Sequence, residues 1–171
     1  VVDTLATLHR ENLSVDVVAG LCTQEECGLR GAYVTARKIQ ADLAIVYGGV
    51  PCDDTFEPDW LSQTRLKAGP MLRDLDTTYI ANPAFQQFTA DLADELHLPY
   101  TRAVRTGGGQ DGAAIGYWQG VPTIVVGIPV RYEHTAYNYT ALSDFQAATS
   151  LVNELLRRLD AKTIASFNSV D

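Results

Sequence analysis

Positive charge is scarce in this chain: Lys and Arg number 13 against 21 Asp and Glu, a formal net charge of -8. The cations are scattered, with no basic cluster to lie along a phosphate backbone, so nucleic-acid binding is disfavoured. Long apolar runs are missing as well. None approaches the roughly 20 residues a helix needs to cross a bilayer, and no basic stretch followed by an apolar one marks a secretory leader, so no membrane partner is expected. Cysteine is sparse and odd in number, at Cys22, Cys27 and Cys52. These positions do not have zinc-ribbon spacing, and three free thiols in a reducing compartment point to the cytoplasm. No G-x-S-x-G nucleophile turn occurs. The sequence also lacks an initiator Met and any capping residue ahead of Val1. Val1, Leu5 and Leu8 share one helical face, so the chain is expected to open inside a helix, with further sequence upstream.

What is present suits one soluble domain. With 171 residues, 46% hydrophobic and 20% charged, the chain can bury a single core without disulfides. Residues 1–160 read as that domain and the aperiodic 161–171 as a tail. Ser14 to Thr23 carries Val15, Val17, Val18, Ala19 and Leu21, an apolar run expected to be a buried strand. Gly31 to Gln40 reads as a helix and Leu43 to Tyr47 as a second strand. A loop rich in Gly, Pro and Asp comes next, from Gly48 to Gln63, and Met71 to Leu75 is a short strand. Asn82-Pro83 starts a helix that runs to about His97. Pro99 to Arg105 and Val121 to Ile128 are strands around a glycine turn and a helix that Gly120 ends. Ser143 to Gln146 reads as a capping box opening the last helix. Alternating strands and helices predict an α/β three-layer sandwich, helices covering both faces of a mostly parallel or mixed sheet. Its ligands gather at the C-terminal strand edge.

Several chemical signals fall at that edge. Glu25 and Glu26 adjoin where a buried strand is expected to end, which is costly unless a proton or a cation meets them. In an extended chain they point to opposite faces. Two separate jobs suit them, one binding a metal and the other holding the water it activates. A solvated loop pair is the plain alternative, and a glycosidase pair requires carboxyls about 5 to 9.5 Å apart. His134 is the histidine in a site loop, although a histidine so placed, taken alone, is more often a surface or hydrogen-bonding residue than a ligand. Gly107 to Gly112 fits G-x-G-x-x-G formally, but it comes late in the chain rather than at a first βα turn, so a dinucleotide site is rejected. A turn that lets backbone approach a substrate suits it better, making Gly108, Gly109 and Asp111 candidate substrate contacts. Cys27, beside the acids, leaves a thiol nucleophile open.

Four segments also carry a resemblance: Thr23-Gln24-Glu25-Glu26-Cys27-Gly28-Leu29-Arg30-Gly31-Ala32, Gly108-Gly109-Gln110-Asp111, Gly120-Val121-Pro122-Thr123 and Pro129-Val130-Arg131-Tyr132-Glu133-His134-Thr135. In order and character they resemble the M42 metallo-aminopeptidases, the glutamyl and tetrahedral aminopeptidase group, over about the C-terminal half of a member. The resemblance implies hydrolysis of the first peptide bond of short peptides with two divalent ions, Zn or Co. Glu25 takes the place of the general base, and Glu26 and His134 take the places of metal ligands. It also implies a homo-oligomer assembled through regions partly outside this chain, and further ligands upstream of Val1. Three positions depart from the pattern. Gly48 stands where the family has a ligand Asp, Gln110 where it has Thr, and Asn138 near a common Glu. An impaired enzyme, or an inactive homologue kept for peptide binding or assembly, is the alternative these departures raise.

Overall fold

The computed structural model describes residues 1–168. In chain order the elements are α1 (Val2–Leu8), α2 (Arg30–Lys38), β1 (Ala44–Pro51), β2 (Met71–Leu75), α3 (Pro83–Glu95), β3 (Thr101–Val104), α4 (Asp111–Gln119), β4 (Thr123–Val130), α5 (Leu142–Arg158) and α6 (Ala161–Ser166), with a 3-10 turn at Glu25–Cys27. The sheet has four strands in the order β1-β4-β2-β3. β1 and β4 run parallel, Ala44 opposite Thr123 through Pro51 opposite Val130, and β2 is parallel to β3 but antiparallel to β4. The mixed sheet agrees with expectation.

Helix positions are set by caps and apolar faces. The Asn82 side chain accepts from Phe85 N at 2.9 Å, with Pro83 next to it, which fixes the start of α3. Phe85, Leu92 and Ala93 of that helix are buried with Leu151, Val152, Leu155 and Leu159 against Leu72, Ile124 and Val126 of the sheet. α2 and α4 pack on each other, and α4 lies against β1 and β4 on the other side of the sheet, where Val46, Tyr79, Ala113 and Val125 form a second core. Helices thus cover both faces, as a three-layer sandwich requires.

Four local expectations are corrected. Ser14 to Thr23 forms no strand. Val18 and Leu21 are 65% and 72% exposed, and the segment faces the free edge of β1 across a cleft of about 850 Å³. A continuous apolar run becomes a buried strand only where neighbours pair with it and cover it, and here none does. Gly48 to Pro51 belongs to β1 rather than to a loop, because β4 pairs with it to the end. The capping box is absent: the cap position is Ala141, without a side-chain bond. Asp144 is buried instead and accepts from Lys67 N and Gly69 N at 2.8 and 3.0 Å, fastening the preceding loop to α5. The supposed tail contains α6, capped by Asp160, and Phe167 stacks on Phe85 at 4.8 Å. Of the predicted tail, residues 169–171 lie outside the described residues.

Candidate active site

Because β1 and β4 are parallel, their C-terminal ends lie together, and the segments leaving the two strands reach the same edge. The Glu25–Cys27 turn is set by three left-handed positions, Gln24 (φ 58°), Gly28 (φ 98°) and Leu29 (φ 58°). Non-glycine residues rarely adopt this conformation, and such strain gathers at functional sites. The amide of Gly31 then donates to the Thr23 carbonyl at 2.9 Å, and a Cβ at position 31 would lie 2.2 Å from that oxygen. Only glycine closes this turn onto α2. The turn resolves the geometric problem of adjacent acids: Glu25 is half-buried and Glu26 is exposed.

Glu26 meets the predicted partner. His134 Nε2 lies 3.0 Å from Glu26 Oε1, although 108 residues separate them. His134 (φ 61°) and Tyr132 (φ 56°) hold the segment after β4 in a bend. Arg131 closes it by pairing with Tyr139 through the backbone and by donating to Asp54 Oδ2 at 2.7 Å. Asn138 turns into this same loop, donating to the Thr135 carbonyl.

The surroundings are acidic. Burial pushes the Glu25 carboxyl up, and the charges of Asp111, Glu26 and Glu133 push it the same way, while His134 opposes them. Burial likewise raises Asp111 and Glu133. The Asp111 Oδ1 atom is buried without a hydrogen-bond partner among the described residues. Glu133 is the site residue that sequence reasoning misses. Its one signal is Gly49 within a strand, since interior glycines mark close approach: a Cβ at Gly49 would lie 2.9 Å from Glu133 Oε1.

The candidate substrate contacts divide. Asp111 joins Glu25 electrostatically. Gly108 (φ 78°) and Gly109 instead pack against Thr77 and Thr78: the Gly108 carbonyl accepts from Thr77 Oγ1 at 3.1 Å, and a Cβ on Gly109 would meet Thr78 Oγ1 at 2.9 Å.

These donors decide the fit to divalent cations. Glu26 and His134 converge from separate loops with one oxygen and one nitrogen, a combination suited to Zn or Co. Among the described residues no group of three His, Cys, Asp or Glu is placed to hold an ion. The pair therefore fits as part of the ligand set of one cation. At position 48 the chain offers no ligand atom, and the Gln110 side chain fills the space beside it.

The fold is an α/β sandwich in which a glutamate–histidine contact joins the 25–27 turn to the segment after β4, with a half-buried second glutamate next in the chain. Known proteins give the class. The profile of the M42 glutamyl aminopeptidase family matches residues 1–151, and the chain belongs to that family. It is 30% identical over 169 residues to the glutamyl aminopeptidase of Lactococcus lactis subsp. cremoris, covering 99% of this chain and 47% of the relative. Its fold matches the TET aminopeptidase of the Thaumarchaeota archaeon SCGC AB-539-E09 with a TM-score of 0.82 at 32% identity, over 86% of this chain and 42% of that one. It also matches PhTET1 of Pyrococcus horikoshii, solved with a dodecamer in the asymmetric unit, with a TM-score of 0.70 at 25% identity, over 81% and 41% of the two chains. The chain spans about half the length of the curated relatives it matches.

Proposed function

We propose that this chain carries the base-and-ligand part of an aminopeptidase that removes the N-terminal residue from short peptides in the cytoplasm and works as a homo-oligomer. The observation that carries the reading is the convergence of Glu26 and His134 beside a half-buried Glu25. Glu26 and His134 would hold the divalent cation, Zn or Co, which when bound supplies a Lewis acid and lowers the pKa of water. Glu25 is the general base. It takes a proton from the attacking water at a carboxylate oxygen and gives it to the nitrogen of the departing amine. Asp111 and Glu133 add negative charge that suits the ammonium group of a free peptide N-terminus. Gly48 in place of a carboxylate leaves the activity below that of a two-cation enzyme.

The test is zinc titration by calorimetry together with hydrolysis of amino-acid anilides. Zinc is expected to bind the intact protein and to lose affinity in Glu26→Ala and His134→Ala. Glu25→Gln is expected to keep zinc affinity while kcat falls about 10²–10⁴-fold, the usual range for losing a general base. Zinc affinity indifferent to both ligand substitutions, or anilide turnover unchanged by Glu25→Gln, would refute the assignment.

A further inference from the structure

β1 is apolar or aromatic from Ala44 to Tyr47 until Gly48-Gly49, two glycines within a paired strand. Neither has a positive φ, so backbone conformation does not demand them. Space does. An ideal Cβ on Gly48 would stand 2.1 Å from Gln110 Oε1, 2.9 Å from its Cδ and 3.1 Å from its Nε2. The Gln110 carboxamide thus occupies the volume that a side chain at 48 would take. It is held there: Gln110 is 9% exposed, and its Nε2 donates to the Gly49 carbonyl at 3.0 Å. Gln110 caps α4 with its backbone and makes no side-chain cap bond, leaving its amide for this one task. Gly49 in turn admits the Glu133 carboxylate, which feels the charges of Glu26 and His134.

We propose that Gly48 and Gln110 are a coupled pair in which the Gln110 carboxamide is a built-in plug, replacing a ligand position at residue 48 and limiting the cleft to a single divalent cation. The inference rests on the Glu26–His134 reading for the cation that remains, but the coupling between the two positions stands on packing alone. A carboxylate restored at 48 must expel Gln110 and break its bond to Gly49. A shorter residue at 110 leaves the glycine beside an unfilled space. Only the double change accommodates both.

Gly48→Asp, Gln110→Thr and the double variant test this in the full chain by thermal unfolding and by counting Co²⁺ retained after dialysis. Each single variant is expected to lower Tm by about 2–4 °C, the shift of a lost packing or hydrogen-bond contribution in a domain of this size, and the double variant to lie within about 1 °C of the parent, the signature of coupled sites. The double variant is expected to retain one more equivalent of Co²⁺ than the parent. Additive Tm changes, or equal Co²⁺ in the parent and double variant, would overturn the proposal. The comparison is between variants, so a parent that retains no Co²⁺ counts against the Glu26–His134 ligand pair alone, while an equivalent gained by the double variant still supports the plug.

Discussion

A single half-buried glutamate links the chemistry of the site to its stability. The Glu25 carboxyl is raised above its ordinary 4.5 by burial and by three neighbouring carboxylates. An acid whose pKa rises on folding binds its proton more tightly when folded, so it subtracts stability as pH climbs from about 4.5 through the folded value, and subtracts nothing below that window. Glu25→Gln is neutral throughout. The variant is therefore expected to melt higher than the parent at pH 8, the two curves converging toward pH 4, as differential scanning fluorimetry across that range would read. A parent that melts higher at pH 8 would mean that the glutamate's contacts outweigh its burial. That Glu25 and Glu26 meet different surroundings, one half-buried and the other exposed, is legible in the sequence as two adjacent acids, but the 3-10 turn that separates them is not. The Gln110 plug is not legible: a glycine within a strand announces that something approaches, without saying what.

Among the elements, the loop between β1 and β2 depends on one buried aspartate. Asp53 accepts from Ser62 Oγ at 2.8 Å, from Gln63 N at 3.1 Å and from Thr64 N at 3.0 Å, and Arg105 Nη1 donates to it at 2.9 Å. Burial pushes its carboxyl up, but the Thr64, Ser62 and Gln63 bonds and the Arg105 charge together outweigh that and hold it below the usual range. Its stabilisation is present above its unfolded pKa and is lost as pH falls through the lower folded value. Asp53→Ala leaves Arg105, which also donates to the Pro51 carbonyl and to Thr64, without its carboxylate. Breaking such a pair from one side costs about 3 kcal/mol or more, or about 6–12 °C in Tm for a domain of this size. Thermal unfolding at pH 7 checks it, and a loss under 1 °C would show the loop to be held from elsewhere. Helices with strong caps, such as α3, are legible because Asn82 and Pro83 act locally. The 14–23 segment misleads because its apolar pattern records a demand for partners and not their presence. Ser143 to Gln146 reads as a capping box in the sequence, yet the residue that matters there is the buried Asp144, whose bonds run to residues more than 70 positions away.

At the scale of the molecule, apolar surface and charge oppose each other. The free edge of β1, the exposed Val18 and the exposed start of α1 line one broad cleft, and the exposed Leu21 follows in the same segment. An apolar strand edge left unpaired is a template for another chain, and contiguous apolar surface of this kind marks an interaction face. Against it stands a net charge of -8, which repels a second copy. The repulsion is long-ranged and screened, with a Debye length of about 8 Å at 0.15 M salt, whereas apolar contact is not weakened by salt. Association is therefore expected to win at physiological ionic strength and to strengthen as salt is added. Light scattering coupled to size exclusion should give a mass above the 18.6 kDa monomer that rises with protein concentration and with NaCl from about 0.05 to 0.5 M, over which the Debye length falls about threefold. Val18→Lys with Leu21→Lys places charge on the exposed segment, as natural edges do, and is expected to return the protein to 18.6 kDa. A parent that elutes as a monomer at every salt concentration would refute this association.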